Sequence, residues 1–100
     1  MATPVYLLVI GRHATEAWHQ LSKEEQDRLW AQAQEVDRSV GAKWIIQCDA
    51  RWADEEVSGW GVLEYPSMEA YLQKVEGLEK LNWWRYIRVK SILGVKSAWG

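Results

Sequence analysis

The sequence predicts an α+β fold in which a four-stranded antiparallel sheet carries two helices on one face. Three observations predict it. Hydrophobic periodicity alternates between strand-like and helical spacing in the order strand, helix, strand, strand, helix, strand. A serine stands in an N-cap position before each helical segment. The two middle strand-like segments are separated by a connection short enough for a hairpin. The 100 residues fit one domain spanning 1–100, and 48% hydrophobic with 26% charged residues is the balance of a globular chain.

The first strand is Val5-Tyr6-Leu7-Leu8-Val9-Ile10, an apolar run rich in β-branched and aromatic residues, expected to end at Gly11. The pattern breaks from Arg12 to Leu21. Ser22-Lys23-Glu24-Glu25 then has the S-x-x-E spacing in which Ser22 and Glu25 satisfy each other's free backbone amides, so a helix begins there. Leu29, Ala33, Val36 and Val40 give it an apolar stripe, and Gly41 is placed to close it in a left-handed conformation. Segments Ala42–Arg51 and Val57–Tyr65 form the hairpin, with Asp54-Glu55-Glu56 as a solvated turn. Ser67 caps a second helix carrying Met68, Tyr71, Leu72, Val75 and Leu78, expected to run to about Gly77 with a short further turn through Leu81. In the last strand, Ile87 to Val95, the odd positions share one face and Arg88, Lys90 and Ile92 the other. The order βαββαβ is the split βαβ, or ferredoxin-like, arrangement.

A net charge of -2 gives no general attraction to polyanions, and nucleic acid is not an expected partner. Cys48 is alone and forms no internal disulfide; the start Met1-Ala2-Thr3-Pro4 has neither the charged nor the apolar region of a signal peptide. A cytoplasmic protein without a membrane span is the expectation. Eight Trp and four Tyr with no Phe supply large flat surfaces with polar handles, suited to a core and to a ligand pocket.

Two helices cover only one face of the sheet, yet the other face is not cleanly polar. With Leu7, Val9, Gly61 and Leu63 toward the helices, Tyr6, Leu8, Ile10, Trp60 and Val62 point away, with Ile45 a neighbour. Covering that patch is worth about 2.5 kcal/mol per 100 Å² before association costs. A second copy of the chain is the simplest cover, and a single-stranded RNA is the other.

The RNA alternative rests on a resemblance. Ser58-Gly59-Trp60-Gly61-Val62-Leu63-Glu64-Tyr65 looks like the RNP1 octapeptide of RNA-recognition motifs, and Val5-Tyr6-Leu7 like the start of RNP2. Ser58 stands where that pattern has a basic residue, and Val62 where it has a base-stacking aromatic.

A resemblance covering nearly the whole chain is to the dimeric α+β barrel superfamily, and within it to small darcynin-type proteins. It is carried by the apolar first strand, by Ala17-Trp18-His19-Gln20-Leu21-Ser22-Lys23-Glu24-Glu25, by Glu64-Tyr65-Pro66-Ser67-Met68-Glu69-Ala70-Tyr71, and by Asn82-Trp83-Trp84-Arg85-Tyr86. It implies that two sheets pack through their open faces as a homodimer. It also implies that a cleft between each sheet and its helices holds a small apolar, aromatic or polyketide-like molecule. Cofactor-free monooxygenases, cyclases and haem-degrading enzymes share this fold, so it does not select a chemistry. Haem-binding members have a histidine after the second helix; Leu78 to Tyr86 has none, and no cofactor is expected.

The candidate site residues follow from position. His13, just beyond the first strand, is a candidate acid or base, although a solvent-facing loop histidine is the plainer reading. Tyr71, on the apolar stripe of the second helix, is the other proton-moving candidate. Trp30, Trp44 and Trp84 fall near the helix–sheet layer and are candidate cleft walls, with packed core as the competing reading. Trp60, flanked by Gly59 and Gly61, is expected at the dimer face, the glycines allowing close approach to the strand. His13 and His19 match no zinc spacing, and no metal site is expected. Trp44, Ile46 and Cys48 are expected on one core-facing strand face, with Asp49 and Arg51 opposite. The basic set Arg85, Arg88, Lys90 and Lys96 reads as edge or interface charge, with an anionic substrate as the sharper alternative. The leading expectation is a small-molecule-binding barrel, as a cofactor-free monooxygenase or cyclase; the alternative is a binding module without turnover.

Overall fold

The main elements of the computed structural model follow from local signals, while the end of β1 and the short helix α1 fall where the pattern breaks; the description covers residues 3–53 and 57–98. The expected Asp54–Glu56 turn lies outside them. Strand β1 is Val5–Ala14, a one-turn helix α1 is Glu16–His19, and helix α2 is Lys23–Ser39. The Ser22 hydroxyl accepts from the Glu25 amide while the Glu25 carboxylate accepts from the Ser22 amide, so the capping box is complete. Gly41 follows at φ 82°, the left-handed exit that favours glycine. Strands β2, Lys43–Asp49, and β3, Gly59–Tyr65, form the hairpin. Helix α3, Met68–Lys80, starts on Ser67, whose hydroxyl accepts from the Ala70 amide. It continues through Gly77 to Lys80; Asn82 at φ 54° breaks the direction, and a 3-10 turn, Trp83–Arg85, leads into strand β4, Ile87–Gly94.

The strands order as β2-β3-β1-β4, all neighbours antiparallel. The two termini-derived strands are thus not both at edges: β1 is central, which suits its apolar run. Val5, Leu7, Val9, Leu63 and Tyr65 are buried and pack with Ala70 of α3 and with Val40 and Tyr71; Ala33 of α2, Leu78 of α3, Trp83 and Ile87 form an adjoining cluster. The alternate residues Tyr6, Leu8, Ile10 and Val62 are half-buried on the other face, where Trp60, Ile46 and Ile92 are exposed.

Two irregularities depart from the alternation read along the sequence, and both redirect side chains. β1 does not stop at Gly11. The register against β4 passes from Ile10↔Lys90 to Arg12↔Val89, so Gly11, at φ 56°, is an extra residue in the ladder. Beyond it the parity reverses: Arg12 pairs with inward Val89, and His13 pairs with Arg88 on the open face. In β2 the register passes from Trp44↔Leu63 to Ile46↔Val62, so Ile45 is extra. Trp44 therefore shares the helix side with Leu63. Ile46 and Cys48, opposite Val62 and Trp60, lie on the open face, correcting the expectation that all three share one core face.

Candidate functional site

A cavity of about 230 Å³ opens between the sheet and the helices. This exceeds a single packing defect and lies somewhat below the ~300 Å³ at which drug-sized ligand pockets begin. Its floor is the inward face of the sheet, Leu7, Val9, Leu63 and Val89, and its far wall is α3 through Tyr71, Lys74, Val75 and Leu78. Trp30 of α2, Trp44 of β2, and Trp83 and Trp84 of the 3-10 turn stand around it. Trp83 is locked by Trp18 edge-on at 6.2 Å and Trp30 at 5.9 Å between ring centroids. The turn carrying it is fixed by Thr15, whose hydroxyl donates to the Arg85 carbonyl at 2.7 Å and whose amide donates to the Tyr86 carbonyl. Trp44 lies across Gly61: a Cβ built there would sit 2.6 Å from Trp44 Cζ3, so only a residue without one admits the ring.

The cavity also holds charge. The Gly11 bulge delivers Arg12 to the inner side, where its guanidinium carbon lies 5.2 Å from the ring centre of Trp30 and 5.5 Å from that of Trp44. Lys74 is 9% exposed, an unusual burial for a lysine, with its ammonium 5.3 Å from the Tyr65 ring centre and 5.6 Å from that of Tyr71. Tyr65 and Tyr71 meet edge-on at 5.4 Å. The fully buried Tyr65 donates its hydroxyl to Asp37 Oδ1 at 2.9 Å. Burial lowers the Arg12 and Lys74 pKa values, and the Asp37 carboxylate partly offsets both shifts. Arg12 in turn pushes Lys74 further down. Burial first, then Asp37, pushes the Tyr65 phenol well above its ordinary value, so it stays a hydrogen-bond donor.

Tyr71, Trp30, Trp44 and Trp84 all line this cavity. His13 does not: it is exposed, on the opposite face of β1 from Arg12. The groups that sequence reasoning missed are Arg12, Asp37 and Lys74. Lys74 was findable, since it falls three residues after Tyr71 and four before Leu78, inside the apolar stripe of α3. Arg12 was not, because its direction depends on a bulge without a sequence pattern of its own. Among the described residues no group of three or more His, Cys, Asp or Glu is placed to hold a metal ion.

No protein-family model matches the chain. No curated protein matches it either. Solved structures do. A variant of chlorite dismutase from Candidatus Nitrospira defluvii superposes with a TM-score of 0.64 at 11% identity, over 93% of this chain and 40% of that one. The fold is ferredoxin-like. This chain therefore spans well under half the length of that enzyme. The RPA0582 protein of Rhodopseudomonas palustris, of unknown function, is similar over 97% of this chain and 86% of its own at 15% identity, with a TM-score of 0.58. Its methylated form gives 0.55 at 14% identity, over 98% and 85%. At these identities the likeness is one of fold. No helix among the described residues is long and apolar enough to cross a membrane.

Proposed function

We propose that this protein is a homodimeric α+β barrel of the darcynin type that binds a small aromatic molecule in the cleft between its sheet and its helices. The observation that carries this reading is the cavity of about 230 Å³ walled by Trp30, Trp44 and Trp84 with Tyr71 opposite. Each of the three tryptophans keeps more than a third of its surface open, 37%, 37% and 38%, although each belongs to the helix–sheet layer. A tryptophan serving the core alone is expected to be more deeply covered, as Trp83 is at 9%. Flat rings around a void are suited to a flat guest.

The homodimer is supported by the open sheet face, where Tyr6, Leu8, Ile10, Trp60 and Val62 form an apolar surface that Ile46 and Ile92 extend across all four strands, with Lys90 beside Ile10 at its border. Exposed apolar area of this continuity marks an interaction surface. A monooxygenase or cyclase version of this reading rests on Tyr71 as the proton-moving group, because Tyr71 faces the cavity and His13 does not.

Sedimentation and native mass spectrometry test both parts. A dimer is expected at micromolar concentration, and a library of one- to three-ring aromatics is expected to give adducts at one molecule per protomer that Trp44→Ala abolishes. A monomer whose Trp60 emission responds to single-stranded RNA would transfer the open face to the nucleic-acid alternative. A dimer without aromatic adducts would leave a structural protein with a filled barrel and an idle cleft.

A further inference from the structure

Resting on the cleft as the binding site, we propose that its ligand is an aromatic carboxylate, anchored by Arg12 and Lys74 with its rings among Trp30, Trp44 and Trp84. The cavity is lined by two cations, Arg12 and Lys74, and by one carboxylate, Asp37, which also accepts the Tyr65 hydrogen bond. One positive charge is therefore left without a counter-ion inside the protein. No ion pair within 4.0 Å joins either cation to a carboxylate among the described residues, although four such pairs form elsewhere on the surface. Both cations instead face rings, which stabilise a buried cation such as Lys74 less than a carboxylate does.

Placement makes the charge specific. Lys74 is the only charged residue among the buried ones described, and it lines the cavity. A buried ammonium with no carboxylate within ion-pair distance, Asp37 acting on it only from further away, is an expensive feature for a structural core to keep. Arg12 arrives by the Gly11 bulge, a left-handed residue that turns it to the helix side of the sheet, where it lines the cleft while remaining solvent-exposed. The ring centres of the two tryptophans lie within 5.5 Å of the guanidinium carbon, and no Arg12 side-chain hydrogen bond to another described residue competes for its N–H groups, which as a planar fork can pair with both oxygens of a carboxylate. The same rings that flank Arg12 continue around the void, so an anionic group at Arg12 and Lys74 directs the attached aromatic system along Trp44 and Trp84. The cavity has room for about one or two rings.

Isothermal titration calorimetry with 2-naphthoate and its neutral counterpart 2-naphthamide separates this inference from the reading beneath it. The wild-type protein is expected to bind naphthoate at least roughly tenfold more tightly, from one charge-assisted interaction. Arg12→Gln and Lys74→Met are each expected to lose about tenfold for naphthoate and to leave naphthamide within about twofold. Arg12→Lys, keeping charge without the planar fork, is expected to fall between. Equal binding of acid and amide by the wild type overturns the carboxylate and leaves the aromatic cleft standing. Neither compound binding at millimolar concentration removes both. Should either variant fail to fold, the acid-to-amide ratio of the wild type still decides.

Discussion

Replacing Gly61 by alanine tests whether the cleft wall is built as described. A Cβ at this position would lie 2.6 Å from Trp44 Cζ3, 3.2 Å from Trp44 Cε3 and 2.9 Å from the Ile46 carbonyl oxygen. The first two contacts are relieved only by swinging the indole off the strand; the third needs a backbone shift in β2. A displaced Trp44 loses most of the area it now buries. With 37% exposed and an indole burying ~150 Å² or more when fully covered, about 100 Å² returns to water, worth roughly 2.5 kcal/mol. Its contact with Arg12 adds about 0.5–1 kcal/mol. Against this, alanine in a strand gains about 0.5–1 kcal/mol over glycine from the unfolded chain. The net expectation is a loss of about 2 kcal/mol, read as a lower urea midpoint with an unchanged slope. The decisive measurement is a double-mutant cycle with Trp44→Ala. Once the indole is gone, only the carbonyl contact remains, so the Gly61→Ala effect should shrink by about 1 kcal/mol or more. Additive effects, or a Gly61→Ala protein as stable as wild type, would show that Trp44 does not rest on this glycine.

Gly77→Ala sets helix propensity, about 1 kcal/mol in favour of alanine, against a Cβ that would meet Val36 Cγ1 at 2.8 Å. Valine has no flexible end to withdraw, so denaturation should show a net loss of about 1 kcal/mol that Val36→Ala in the same chain largely removes. Tyr65→Phe strips Asp37 of its buried donor and should destabilise by about 1–2 kcal/mol. The same substitution should change the alkaline limb. The raised Tyr65 pKa means that above about pH 10 the unfolded phenol loses its proton while the folded one keeps it. Stability then falls with rising pH in the wild type and should fall less in Tyr65→Phe. Lys74 acts with the opposite sign. Its lowered pKa means that stability rises with pH from the folded value up to that of an unfolded lysine, near 10.4. In Lys74→Met that rise should vanish and the neutral-pH midpoint should be at least as high as wild type. A midpoint more than about 1 kcal/mol lower would mean that the ring contacts outweigh the burial of charge. On the open face, Val62→Lys places a charge at the centre of the apolar surface and should convert the proposed dimer to monomer in sedimentation. A dimer persisting in Val62→Lys would move the interface elsewhere.

The parts of the fold that were legible in the sequence are those whose physics is local. The capping box at Ser22 and Glu25, the cap at Ser67 and the left-handed Gly41 each depend on a few adjacent residues, and each stands where the spacing put it. The alternation of β1 up to Ile10 was readable because a central strand has no other way to divide its side chains between two layers. What escaped were the two bulges. Gly11 ends an apolar run, and a glycine there reads as a turn; it becomes a bulge only because Arg12, His13 and Ala14 find partners in β4, far along the chain. Ile45 sits in the run Trp44-Ile45-Ile46, where either parity leaves an isoleucine on each face, so apolar pattern alone could not choose the register.

Those unreadable irregularities decide the chemistry of the cleft. Without the extra residue at Gly11, strict alternation would send Arg12 to the open face, adding a second cation near Ile10, whose partner Lys90 already lies there. His13 would then turn inward, and the cleft would hold an imidazole where it now holds a guanidinium. The β2 bulge acts in concert: it lets Trp44 face inward over Gly61 while Ile46 and Cys48 extend the apolar surface outward. One added residue in each of two strands thus brings Ile46 and Cys48 to the outer face and Arg12 and Trp44 to the inner one, where Arg12 joins Lys74 of α3. The Ile46 edge of the apolar surface proposed for dimerisation and the Arg12–Trp44 side of the cleft both depend on this pair of register shifts. A reading of this family of sheets that counts alternating residues without locating bulges will assign the wrong side chains to both.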